Sequence, residues 1–233
     1  MQKYKFTGET KEVYGRTLHQ IVCVTAFASV AAGEVGGYIE KEVNLSQDGN
    51  AWVSGNAKVS GDAKVFGDAE VFGNAKVSGN AKVCGNAKVC GDAKVCGNAK
   101  VFGDANVSGD AKVFGNAKVF GNAKVFGDAW VFGDAEVCGD AEVFGNAILR
   151  RGSTETATDY IVIGPQGSRR SFATLHLPSN TVCTGCFVGN LNEFKKAVYK
   201  NHNPDQGRVT FNNQYQRVIR VFEFLQEQDK DAQ

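Results

Sequence analysis

Residues 92–109 read Asp-Ala-Lys-Val-Cys-Gly, Asn-Ala-Lys-Val-Phe-Gly, Asp-Ala-Asn-Val-Ser-Gly. The same unit, (Asn or Asp)-Ala-x-Val-(Ser, Phe or Cys)-Gly, runs from Asn50 to Gly145 as sixteen consecutive copies with no insertion and no slip. A seventeenth copy begins at Asn146-Ala147 and dissolves into Ile148-Leu149-Arg150-Arg151. Self-similarity at a short fixed period marks a solenoid. A period of six excludes an amphipathic helix, whose apolar positions recur near 3.6. Alternation fits instead. Ala and Val lie two apart and share one face of a short strand, while the residue between them, usually Lys, points outward. The Gly-(Asn or Asp) pair accepts positive φ and turns the corner. Three such sides close a triangular coil of 18 residues. Coils stacked at the strand spacing of roughly 4.8 Å make a rod on the order of 25 Å long.

The columns of this repeat resemble the hexapeptide repeat of left-handed parallel β-helix proteins, in which an aliphatic and a small residue recur every six. The resemblance covers nearly half the chain and implies a mainly β, left-handed parallel β-helix over 50–149, with an N-terminal β cap at 1–49 and a small α+β domain at 150–233. It departs at the position after Val, where Phe stands at 66, 72, 102, 114, 120, 126, 132 and 144. Many proteins of this family are acyltransferases that use a His as general base and loops inserted between coils. Here His19, His176 and His202 all lie outside the repeat, and no loop interrupts it. The zinc site of the γ-class carbonic anhydrases, built from three His, lacks its ligands for the same reason. A non-enzymatic scaffold is therefore expected, with no cofactor and no metal; an acyltransferase-like enzyme is the alternative.

Residues 18 apart share a face, so Lys58, Lys76, Lys94 and Lys112 form one row and Lys64, Lys82, Lys100 and Lys118 a second. Ten Lys against eight Asp and three Glu over residues 50–147 leave a net charge of −1, which suits a solvated, balanced surface better than a DNA mimic. A Lys-lined face for an anionic partner is the sharper reading. Cys84, Cys90 and Cys96 fall on three different faces, too far apart for a disulfide or a shared zinc. The Phe column is either stacked along the ladder, covered by the C-terminal segment, or a surface for a protein partner or self-association, with Phe114, Phe120, Phe126 and Phe132 as candidate contacts.

At the N-terminal side, Lys3–Val13 and Leu18–Phe27 read as strands. The stretch Ala32-Gly33-Glu34-Val35-Gly36-Gly37-Tyr38 and the motif Asn44-Leu45-Ser46-Gln47 resemble the entry segment of bacterial and phage hexapeptide-repeat proteins, which implies a capping role. In the C-terminal segment, Tyr160–Ile163, Phe172–Leu175 and Thr181–Val188 read as strands. Gly164–Ser168 reads as a turn, and Asn192 and Asn213 as helix starts. The loop carrying Gly167, Ser168, Arg169 and Arg170 is a candidate cradle for a phosphate or another small anionic ligand, which keeps a nucleotide or nucleic-acid binder as a further alternative. Cys183-x-x-Cys186 has metal-like spacing, with His176 or His202 to complete a set, or is a pair of packed thiols.

Composition sets the outer bounds. Seven Cys in 233 residues are too few for a disulfide scaffold, and a net charge of +1 gives no global pull toward nucleic acid or an anionic membrane. The most apolar stretch, Ile21–Ala32, is about a dozen residues, too short to span a bilayer and without the basic leader of a signal peptide. The expected compartment is the cytoplasm, a host cell's if the chain is phage-encoded. The expected partner is a protein or a second copy, and one specific form of that idea is a phage inhibitor of a host factor.

Overall fold

A computed structural model describes residues 2–156, 159–166, 171–184, 187–202 and 209–231. Its centre is a parallel β-solenoid of about six turns. Each repeat unit contributes a two-residue strand, such as Lys94–Val95, paired in parallel with the strands 18 residues before and after it. Every Ala and Val of the repeat is buried, almost all at 0% exposure, so the middle of the rod is a stack of methyl-bearing side chains. Gly closes each unit at φ between +60° and +73° from Gly55 to Gly145, a region where a Cβ is strained. Successive Gly columns also approach closely: a Cβ on Gly85 would lie 2.9 Å from the backbone nitrogen of Gly103.

Parallel pairing starts before the repeat does. β1 (Tyr4–Val13) and β2 (Arg16–Cys23) form an antiparallel hairpin, turned at Tyr14 and Gly15 with φ of 51° and 73°. β3 (Val35–Ile39) pairs antiparallel with β2 on one side and parallel with Lys58–Val59 on the other. It is the strand at which the antiparallel cap becomes a parallel coil. Leu45 bridges Val65, so the first coil is built from the entry segment. At the far end the ladder continues past the repeat to Ser153–Thr154.

The two rims are chemically different, and their caps match them. The amides of Asp92, Lys94 and Cys96 donate to the carbonyls of Gly109, Ala111 and Val113 in the following coil. At these positions the first coil is left with unpaired carbonyls and the last with unpaired N–H groups, which need partners when buried. The N-terminal cap supplies donors. Lys3 Nζ reaches the carbonyls of Ala51 (2.9 Å) and Gly49 (3.3 Å), Tyr4 OH those of Leu45 and Glu42, and Asn44 Nδ2 those of Ala63 and Gly61. Burial pulls the Lys3 ammonium down to about 8. The C-terminal side supplies acceptors: Tyr160 Oη accepts from Phe144 N, Thr174 Oγ1 from Ile148 N, and the Asp159 carboxylate from the N–H groups of Glu155 and Thr156.

The C-terminal unit is a four-stranded antiparallel sheet, Tyr160–Gln166, Ser171–His176, Thr181–Thr184 and Phe187–Gly189, covered by α1 (Leu191–Asn201) and α2 (Val209–Asp231). Ala173, Leu175 and Val182 pack on the helices through Phe194, Val198, Ile219 and Phe222. Tyr160 joins the solenoid core instead, so the sheet also caps the rod. Four expectations shift. Thr181–Val188 is two paired strands rather than one. α1 is capped by Asn190, not Asn192, because Glu193 stands three residues on to complete the reciprocal capping box, whereas Asn192 has Lys195 there. α2 already runs from Val209, ahead of Asn213, carrying Phe211 one turn before Tyr215. The first hairpin strand extends through Gln166, so Gly164 is no turn residue: a Cβ there would run into Phe172 at 2.8 Å.

Candidate functional site

The three faces of the rod are unequal. On the face of Trp52, Glu70, Lys88, Asn106, Lys124 and Glu142, ion pairs join neighbouring coils: Lys88–Glu70 at 3.7 Å and Lys124–Glu142 at 2.8 Å. The face of Lys64, Lys82, Lys100 and Lys118 ends in the pair Lys118–Glu136 at 2.6 Å. The third face runs Tyr38, Lys58, Lys76, Lys94, Lys112, Trp130 and carries no acid in its row.

The corners differ in the same way. One corner alternates Asn50, Asp68, Asn86, Asp104, Asn122, Asp140, and Asn amides donate to the next Asp, as from Asn86 to Asp104 at 2.8 Å. A second reads Asp62, Asn80, Asn98, Asn116, Asp134, tied by the same ladder. Neither stacks carboxylate on carboxylate. The third corner, beside the acid-free Lys row, reads Asn56, Asn74, Asp92, Asp110, Asp128, Asn146 and does. The Lys row and this Asp row line an open groove of about 550 Å³. Among the described residues no ion pair joins them: Lys112 lies over the Trp130 ring at 4.2 Å and Lys76 over Tyr14 at 5.8 Å. Stacked like charges at the coil spacing repel by about 1 kcal/mol in water.

The Phe positions do not make one face. Phe102 stacks on Phe120 (4.9 Å, 2°), Phe114 on Phe132 (4.8 Å, 5°) and Phe126 on Phe144 (5.4 Å, 14°), each pair on its own side of the rod. A step of six residues turns the chain to the next side, so Phe114, Phe120, Phe126 and Phe132 are split over three. Phe114, Phe120, Phe126 and Phe132 are half-buried by stacking, and of the eight Phe in the repeat Phe66 and Phe144 alone are exposed. Cys84, Cys90 and Cys96 follow the same geometry as free thiols on three sides, pushed up by burial.

Gly167, Ser168, Arg169 and Arg170 lie outside the described residues, as does Cys186. Cys183 is buried, its thiol pushed up to about 11 by burial. His176 is buried at the junction of rod and sheet, with Ser179 Oγ 2.6 Å from Nδ1 and Thr154 Oγ1 3.0 Å from Nε2. Burial holds its pKa below the usual histidine value. His202 packs at the end of α1 against Tyr215. Among the described residues no three His, Cys, Asp or Glu are grouped to hold a metal, and no helix is long and apolar enough to cross a membrane. The paired Lys and Asp rows were missed as a unit in the sequence, although reading the corner positions at steps of 18 would have isolated the one corner with consecutive Asp. No protein-family model matches the chain, and no curated protein matches it.

Proposed function

We propose that the protein is a non-enzymatic β-solenoid scaffold that acts by binding a protein through its outer surface. The observation that carries this reading is the uninterrupted coil: sixteen units whose outward positions hold Lys, Asp, Asn, Glu, Ser, Cys and aromatic side chains, with no His and no inserted loop. General acid–base chemistry on such a surface has no group that changes charge near neutral pH other than strongly perturbed ones. Among the described residues His176, a candidate base of the alternative enzyme, is enclosed by Ser153, Thr154 and Ser179 and is 2% exposed. The resemblance of the entry segment to bacterial and phage repeat proteins supports a bacterial setting, with a host protein as target. Affinity capture by the full chain from a bacterial lysate tests this. One protein recovered in stoichiometric amount, and lost when surface residues of the rod are changed, is the expected result. Turnover of an acyl-CoA donor by the purified chain would overturn it.

A further inference from the structure

We infer that the Lys/Asp face is a self-association surface, where two copies pair side by side about a two-fold axis parallel to the rods. This rests on the reading of the rod as a protein-binding scaffold. Lys94 and Lys112 open their strands two residues after the corner residues Asp92 and Asp110, so the two rows run side by side along the rod. Their sign is segregated, not checkered: positive on one side of the groove, negative on the other. At the other two corners an Asn amide separates the carboxylates, and on the other two faces the Lys row ends in, or alternates with, a paired Glu.

Two copies placed face to face have two symmetric choices. With the two-fold perpendicular to the rods, Lys meets Lys and Asp meets Asp. With the two-fold parallel to the rods, Lys94 meets Asp92 of the second copy and Lys112 meets its Asp110, each contact occurring twice. A C2 contact is self-complementary by necessity, and this strip is self-complementary in only the second arrangement. A polyanion would meet the Asp row, and a polycation the Lys row; a second copy satisfies both. This side offers at most roughly 500 Å² per copy, part of it beneath Tyr14 at Lys76, below the usual ~800 Å² per partner, so the dimer is weak and strongly salt-dependent.

Sedimentation equilibrium of the full chain at about 0.05 M and about 0.5 M NaCl tests this. A mass of twice 24.9 kDa at low salt, falling to the monomer at high salt, is expected. Lys94→Asp with Lys112→Asp, and separately Asp92→Lys with Asp110→Lys, should each raise the dissociation constant at least tenfold. An equimolar mixture of the two variants should recover a 1:1 dimer. Asp92→Asn with Asp110→Asn, which places there the residue that stands at the same corner at Asn56 and Asn74, should keep the fold intact and weaken pairing several-fold. A monomer at low salt, a trimer, pairing indifferent to all three variants, or a mixture that stays monomeric would overturn the two-fold contact. Capture of a different protein by such a monomer would leave the scaffold reading standing, so the two fail separately.

Discussion

Replacing Gly85 by Ala separates two reasons why glycine closes each unit. The backbone at Gly85 has φ +69°, and an added Cβ would lie 2.9 Å and 3.0 Å from the nitrogen and oxygen of Gly103 in the next coil. Gly145 has φ +61° but nothing within 4 Å of that Cβ. Both substitutions carry the left-handed cost of about 1 kcal/mol. Only Gly85→Ala must also push two backbones apart in a ladder whose hydrogen bonds run on both sides of the contact, which adds about 2 kcal/mol on the scale of overpacking. Urea denaturation followed by circular dichroism reads the difference. We expect losses of about 3 kcal/mol for Gly85→Ala and about 1 kcal/mol for Gly145→Ala. Equal losses would mean that conformation alone selects glycine and that the next coil leaves a Cβ on residue 85 more room than 2.9 Å.

Val95→Asp places a carboxylate in a core of Ala and Val at 0% exposure, and the protein should lose its cooperative melt by calorimetry. Tyr4→Phe removes the hydroxyl that donates to Leu45 and Glu42 and should cost about 1–3 kcal/mol by the same denaturation assay, since both carbonyls are left without it. His176 is held below its usual pKa by burial, so it stays neutral in the folded protein while the unfolded chain takes up a proton. Its contribution is therefore fully present above the unfolded value of 6.5 and is lost as pH falls below it, with a slope of up to about 1.4 kcal/mol per pH unit. His176→Gln should flatten the melting-temperature profile in that window.

The solenoid was legible because one short unit repeats without a slip, and a period of six with Ala and Val two apart admits a strand and a corner and little else. The sign of φ at glycine followed from the same pattern. The N-terminal cap was read as a cap but not in its chemistry, and the capping role of the C-terminal sheet was not read at all. That Lys3, Tyr4 and Asn44 present donors, and Tyr160 and Thr174 acceptors, depends on the direction of the inter-coil hydrogen bonds, which no local motif states. The Phe residues read as one column when counted by sixes, but steps of 18 divide them into three stacks, and a dispersed surface replaces a patch. In the C-terminal unit the strand propensities were sound, while the helix start at Asn190 was decided by an acid three residues downstream and the continuation of α2 back to Val209 by packing of Phe211 near His202.

A calorimetric titration of the purified full chain with the protein it captures decides between binding and turnover. A saturable heat with one captured protein per chain, or one per dimer, and an affinity that falls with added salt is the expected result. Conversion of that protein, or of a small molecule carried with it, by a substoichiometric amount of the chain would contradict a scaffold that works by its surface alone.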